Sequence, residues 1–113
     1  LLLGDNTKKS FPDIKKHLTQ PITILKLGHH GGARTIDDDM LDFLTPKLIV
    51  ISVGQNSYKH PNKKTLEIIE KHKIPILRTD LNNAVKISSS GETTNVYTYN
   101  PKNKKWLLFD TYQ

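Results

Sequence analysis

The 113 residues are 35% hydrophobic and 25% charged, which is enough apolar material for one small domain with its own core. The absence of cysteine excludes disulfides and thiolate metal sites, so any metal would be held by imidazole nitrogen or carboxylate oxygen. The formal net charge of +6 favours an anionic partner, although the lysines are dispersed and an ordinary solvated surface explains the composition more simply.

The first half of the chain predicts alternating strands and helices. Residues 1–4 are predicted as the end of a buried strand, residues 10–18 as a short amphipathic helix, and residues 22–27 as a central strand. A helix that starts at about Thr35 and is ended by Pro46 precedes residues 48–53. Residues 48–53, which are apolar apart from Ser52, predict a strand that is buried on both faces.

The second half predicts one more helix and then mostly strands. The expected elements are a helix at 63–72, a strand at 75–78, a turn at 80–83, a hairpin of 84–88 with 93–99, and a last strand or packed tail at 106–109. The order of elements predicts an α/β (α+β) fold with a mixed sheet and helices on one face. No run of about 18 apolar residues occurs, so this piece has no predicted membrane segment.

Polar side chains follow two of these strands directly. Asp5 comes after a buried run, where a carboxylate normally meets a cation or several N–H donors, although a turn or N-cap aspartate is the simpler explanation by itself. His29 and His30 stand between glycines after the next strand. Neutral imidazole is the commonest protein ligand of zinc, and a pair of surface loop histidines is the alternative.

A third loop, residues 54–60, follows the most apolar strand. It offers amide, phenol, ammonium and imidazole groups, which suit phosphate contacts and proton transfer. An ordinary polar loop ahead of a helix is the alternative. The remaining histidines, His17 and His72, are predicted to be structural or solvated.

Together, the three loops resemble the metallo-β-lactamase superfamily, specifically its branch around the ComEC family of DNA-uptake proteins. The resemblance rests on Leu-Leu-Leu-Gly-Asp (1–5), Leu-Lys-Leu-Gly-His-His-Gly-Gly (25–32) and Ile-Ser-Val-Gly-Gln-Asn-Ser-Tyr-Lys-His-Pro (51–61), with Ile-Leu-Arg-Thr-Asp (76–80) as a further match. It implies that residues 1–113 form the C-terminal half of an αββα sandwich. The N-terminal half of the same fold would then be the partner of this chain.

The resemblance also implies roles for individual residues. Asp5 would bridge two divalent metal ions, with zinc expected first and manganese as the alternative. His30 is favoured over His29 as a ligand of the second metal, which leaves His29 as a residue that supports the site or faces the substrate in catalysis. His60 would act as an acid or as a stabiliser of the transition state. The residues expected to bind substrate are Asn56, Tyr58 and Lys59.

The sequence departs from the superfamily in several places. The His-x-His-x-Asp-His motif, which supplies most of the metal ligands, is absent, and so is the single histidine that precedes the bridging aspartate. Both belong to the N-terminal half of the fold. Gly32 replaces the usual serine and Lys59 replaces the usual glycine, which affects the expected substrate class rather than the fold.

The implied function is that of a metal-dependent hydrolase, a phosphodiesterase or nuclease in which hydroxide generated at two metals attacks phosphorus. DNA is the leading substrate, and this piece alone is expected to be inactive. One alternative is a phosphorylcholine esterase or another ester hydrolase of the same fold. The other is a non-catalytic module that binds anions. Cytoplasmic and cell-surface locations both stay open.

Overall fold

A computed structural model describes residues 1–113, which form six strands and four α-helices. The strands are β1 (Ile24–Lys26), β2 (Leu48–Ile51), β3 (Ile76–Arg78), β4 (Val85–Ser89), β5 (Thr94–Asn100) and β6 (Lys105–Tyr112). The helices are α1 (Phe11–Lys15), α2 (Asp38–Leu44), α3 (Lys63–Lys71) and α4 (Thr79–Asn82), and short 3₁₀ turns occupy Lys8–Ser10 and His29–Gly31. The predicted α+β class is confirmed.

Parallel and antiparallel strands lie in two separate sheets rather than in one mixed sheet. The first sheet is parallel with the order β1-β2-β3, and the second is antiparallel with the order β4-β5-β6. Leu2 adds a parallel bridge to Lys26, which places the N-terminal residues beside β1. The central strand β2 is buried at all four positions, as its apolar run predicts.

The two faces of the parallel sheet are covered by different layers. Because side chains alternate along a strand, Leu25, Ile49 and Ile51 point to one face, where they pack with the helices in a core of 12 buried residues. Leu48 and Val50 point to the other face and pack against buried residues of the antiparallel sheet. The chain therefore has three layers, with helices, the parallel sheet and the antiparallel sheet in that order.

Capping residues define where α2 and α3 begin. The Asp37 carboxylate accepts a hydrogen bond of 2.9 Å from Met40 N, and the Asn62 side chain accepts one of 3.0 Å from Lys64 N. Helix α2 ends at Thr45, which adopts a left-handed conformation just before Pro46. The Asn62 cap fixes the first turn of α3 directly after the loop that carries His60.

Several elements differ in length from the sequence-based expectation. The helix predicted at residues 10–18 is confined to Phe11–Lys15, and the turn at 80–83 overlaps the short helix α4. The last strand is longer than expected, and its side chains at Leu107 and Leu108 are 50% and 60% exposed rather than packed. None of the helices has the length and apolar character needed to cross a membrane.

An ionic cluster joins α2 to α3. Lys71 Nζ and His72 Nε2 each lie 2.8 Å from Asp38 Oδ1, and His72 Nδ1 lies 3.6 Å from Asp42 Oδ1. The hydrogen bond from Lys71, followed by the one from His72, holds the pKa of Asp38 below its ordinary value. His72 therefore has the structural role that the sequence predicts.

We expect Asp38→Asn to lower the free energy of unfolding at neutral pH. A carboxyl group whose pKa is lowered by folding stabilises the protein above its unfolded-state pKa, and that contribution is lost as the pH falls through the folded-state pKa. Urea denaturation at neutral pH and near pH 3 measures the difference. The neighbouring variant Asp39→Asn removes the same charge from an exposed side chain that makes no ion pair, and it should have a smaller effect. Equal destabilisation by the two variants at both pH values would contradict this role.

Candidate functional site

Four loops meet at one edge of the parallel sheet. Residues 28–32 follow β1, residues 52–60 follow β2, Thr79 follows β3, and Asp5 follows the N-terminal residues that pair with β1. Thr79 Oγ1 joins two of these loops, because it accepts a hydrogen bond from Val53 N and donates one to Val53 O, both 2.8 Å long. In parallel sheets, ligands bind at this edge, outside the carboxyl ends of the strands.

His30 is oriented by the backbone of the next strand. Its Nδ1 lies 2.7 Å from Ser52 O, and because a carbonyl oxygen only accepts, Nδ1 is the donor; in the neutral imidazole Nε2 is then the nitrogen with a lone pair for a ligand. Histidines that ligate metals commonly donate their second ring nitrogen to a carbonyl or carboxylate in this way. His30 is exposed and lines a cavity at this edge of the sheet.

The loop that carries both histidines is anchored through the carbonyl groups of its glycines. Gly32 O accepts hydrogen bonds from the buried hydroxyls of Thr35 and Thr65, at 2.8 and 3.1 Å. Gly31 O accepts from Asn62 N at 2.8 Å. The loop is thus held against the first turn of α3 as well as against β2.

His60 packs directly on these glycines. A Cβ atom on Gly32 would lie 2.7 Å from His60 Cε1, and one on Gly31 would lie 2.8 Å from Pro61 Cβ. Gly31 also has a φ of 73°, which glycine adopts without strain. Glycine at both positions therefore lets the histidine loop approach the loop after β2.

Three imidazole rings and one phenol form a cluster. The ring centroid of His29 lies 5.6 Å from that of His60 and 6.3 Å from that of His30, and Tyr58 stacks on His60 at 5.7 Å. His60 Nδ1 is buried and has no hydrogen-bond partner. Because a buried polar atom without a partner is costly, this nitrogen marks a place where a ligand or a bound water is needed.

Asn56 shapes the loop that follows β2. Its Nδ2 donates to Gly54 O at 2.9 Å and to His60 O at 3.0 Å, and its Oδ1 accepts from His60 N at 3.0 Å. The amide predicted to bind substrate is therefore engaged by backbone groups. Its observed contacts hold His60 in place.

Asp5 lies beside the histidine loop but makes no hydrogen bond or ion pair. The two segments are joined by a hydrogen bond of 2.8 Å from His29 N to Gly4 O, and Gly28 packs closely on the backbone of Asn6. The Asp5 side chain is exposed. No group of three or more His, Asp or Glu side chains in the chain could hold a metal ion. Convergence of Asp5 with the imidazoles on a metal stays a prediction.

A cavity of 210 Å³ opens beside His60, and we call it the histidine cavity. Its lining residues are His30, Val53, Gly54, Gln55, Asn56, Tyr58 and His60. A larger cavity of 300 Å³, between the end of α2 and the segment after α1, has no titratable side chain in its lining. The histidine cavity is therefore the better candidate for chemistry.

Thr65 and Thr79 help to hold the site together, although neither belongs to a recognisable site motif. Thr65 lies on the inward face of α3 and is buried, although threonine is mostly exposed in proteins. Thr79 lies in the strand-and-turn segment that matched the family, where its hydroxyl closes the end of the sheet. Thr65 occupies a position of α3 that faces the core. A polar residue at such a position indicates that its hydroxyl has a buried hydrogen-bond partner.

We expect Gly32→Ala to displace the His60 ring. Gly32 has a φ of −60°, which alanine also adopts, so the contact with His60 Cε1 is the main source of strain. Overpacking of this kind typically costs about 1–3 kcal/mol. The chemical shift of the His60 ring protons in NMR spectra measures the displacement. Gly54→Ala is the matched control, since no atom lies within 4 Å of its added Cβ. An unchanged His60 shift in Gly32→Ala would show that the ring is not in contact.

Comparison with known proteins finds relatives among competence proteins. The chain is 32% identical to ComE operon protein 3 of Bacillus subtilis over 109 residues, which cover 89% of this chain and 13% of that protein. It is 38% identical to competence protein ComA of Neisseria gonorrhoeae over 64 residues, 56% of this chain and 9% of that protein. With recombination protein 2 of Haemophilus influenzae the identity is 24% over 107 residues, 94% of this chain and 14% of that protein.

No protein-family model and no solved structure matches the chain. The chain spans between 9% and 14% of the length of these curated relatives, so the similarity concerns one segment of much longer proteins. Within that segment, the similarities support the ComEC-like relationship that the three loops indicate.

Proposed function

We propose that this chain forms the C-terminal half of a metallo-β-lactamase-type phosphodiesterase and supplies part of a site for two metal ions. The observation that carries the proposal is the placement of His30 and His60 on the histidine cavity, with His30 Nδ1 bonded to Ser52 O and Nε2 free. The three-layer arrangement, with helices on one side of two stacked sheets, corresponds to three of the four layers of an αββα sandwich and supports the proposal to that extent.

The side chains at this edge of the sheet supply some, but not all, of the ligands that a metal site needs. His30 has the orientation of a ligating imidazole, and Asp5 is an unpaired carboxylate on the adjoining loop. A site for two metals needs more ligands than these two side chains provide. When bound, two divalent ions would supply an activated water near neutral pH and would stabilise charge that develops on phosphoryl oxygens.

The remaining residues of the cavity would act on the substrate. His60 is held by the Asn56 amide and by contact with Gly32, so its imidazole is positioned to donate a proton to a leaving oxygen or to stabilise charge. Tyr58, stacked on His60 and 78% exposed, would contact the substrate at the mouth of the cavity. His29 lies between the two other imidazoles and would support both.

The remaining metal ligands would come from a partner segment with the N-terminal half of the fold. Strand β6 is an edge strand, and four consecutive large side chains on it, Trp106, Leu107, Leu108 and Phe109, are between 41% and 60% exposed. A long, apolar sheet edge is normally covered in a stable protein. This edge is therefore the place where we expect the partner segment to add to the antiparallel sheet.

DNA is the substrate class that we favour. The chain has a net charge of +6, and Lys59 stands beside His60 at the site. Two of its relatives are named for competence and for recombination, processes that involve DNA.

A phosphorylcholine esterase or another ester hydrolase would need the same metal site. A non-catalytic anion-binding module is favoured by one observation, which is that no three His, Asp or Glu side chains converge on one point.

We expect Asp5→Ala and His30→Ala each to reduce the metal content of the protein expressed from its complete gene. The reason is that each removes a direct ligand, and elemental analysis should show about two zinc or manganese ions before substitution and fewer after it. His29→Ala is the control within the cluster, and His17→Ala is the control outside it. Loss of metal from His29→Ala but not from His30→Ala would exchange the two assignments.

We expect the same protein to cleave single-stranded DNA in the presence of Mn²⁺. His60→Ala should reduce turnover by about 10²–10⁴-fold, the usual contribution of a general acid or base, while leaving most of the metal bound. Equal loss of metal and activity would make His60 a ligand instead. Hydrolysis of choline phosphate esters without cleavage of DNA would favour the esterase, and metal-free binding of DNA without any hydrolysis would favour the anion-binding module.

A further inference from the structure

A second cavity lies on the other side of His60. Its volume is 430 Å³, about twice that of the histidine cavity, and we call it the lysine cavity. Its lining residues are Lys59, His60, Pro61, Asn62, Lys63, Leu66 and Arg78. His60 is the one residue that lines both cavities, so the two spaces adjoin at this residue.

The charge on the lysine cavity is positive. Lys59 and Lys63 take part in none of the ion pairs of the chain, so both ammonium groups are available to a ligand. Arg78 donates to Asp80 at 3.0 and 2.7 Å, which lowers the pKa of that carboxyl and largely offsets the arginine charge. No carboxylate lines the cavity itself. Its chemistry therefore suits an anion.

The backbone gives this cavity a defined shape. Lys59 has a φ of 60° and lies inside the loop that Asn56 closes through three hydrogen bonds. Lys63 is the first residue of α3, a helix of nine residues whose N-terminal end carries a partial positive charge. The two lysines thus project from fixed backbone segments on either side of the buried Pro61.

We infer that the lysine cavity binds the phosphate group next to the one that is cleaved, so that the substrate is a polynucleotide strand rather than a small phosphate ester. This inference rests on the proposed function, which places the scissile phosphate in the histidine cavity. Successive phosphates of a strand are joined through one nucleoside, and two cavities that share one wall suit that repeat. A phosphorylcholine ester has no second phosphate and would leave both lysines without a ligand.

Binding of a fluorescein-labelled oligothymidylate, measured by fluorescence anisotropy in EDTA over a range of salt concentrations, tests the inference without any hydrolysis. The logarithm of the binding constant falls with the logarithm of the salt concentration by about 0.7 for each phosphate contact to a single strand. Lys63→Ala should therefore reduce this slope by about 0.7, and Lys59→Ala/Lys63→Ala should reduce it by about twice as much. Lys63→Glu should weaken binding further than Lys63→Ala.

Lys102→Ala/Lys104→Ala is the matched control, since it removes two lysines from the turn between β5 and β6, outside both cavities. This control should retain the slope of the unsubstituted protein. Equal slopes for the two double variants would overturn the lysine cavity as a phosphate site. Cleavage of DNA is a separate measurement. Cleavage with equal slopes would reject only the lysine cavity. Reduced slopes without cleavage would retain the lysine cavity as a phosphate site but reject the hydrolase and, with it, the position of that site next to a scissile phosphate.

Discussion

The close contact between Gly31-Gly32 and His60-Pro61 is the constraint on which the candidate site depends. Parallel strands bring their carboxyl ends to one edge of a sheet, but that alone does not bring the loops into contact. The absence of two Cβ atoms lets one loop pack on the other, and the Gly32 carbonyl then reaches the hydroxyls of Thr35 and Thr65. The lack of a side chain at Gly32 thus has a direct physical effect, because it sets how near His60 lies to the histidine pair.

Much of the fold was predictable because most elements are determined locally. The apolar run at 48–51, rich in β-branched residues, indicated a buried strand, and the capping side chain of Asn62 was a local signal for the start of α3. The separation into two sheets was not predictable, since the choice of pairing partners for β4–β6 depends on which face of the parallel sheet remains uncovered. The helical turn α4 replaced a predicted turn because the Asn82 side chain accepts a hydrogen bond from Arg78 N across it.

The three loops named from the sequence adjoin one another in the structure, whereas the roles of their residues stay predictions. His29, His30 and His60 do lie together, as the order of strands and glycine-rich loops indicated. An asparagine amide can bind a ligand or a backbone with the same atoms, so only the three-dimensional arrangement could show that Asn56 closes its own loop. The same holds for the hydrogen bond between His30 and a carbonyl 22 residues away, which no local pattern encodes.

The two sides of the proposed active site differ in how firmly they are held. A hydrogen bond to Ser52 O holds His30. The Asn56 amide and van der Waals contact with Gly32 hold His60, so both positions are set before any ligand binds. Asp5 has no such support, and its carboxylate is free in solvent on the segment before β1. Ordering that carboxylate costs conformational entropy, and this cost makes the free energy of metal binding less favourable. In the proposed enzyme, metal affinity is therefore limited by the carboxylate side of the site, where a covering partner segment would contribute most by ordering Asp5.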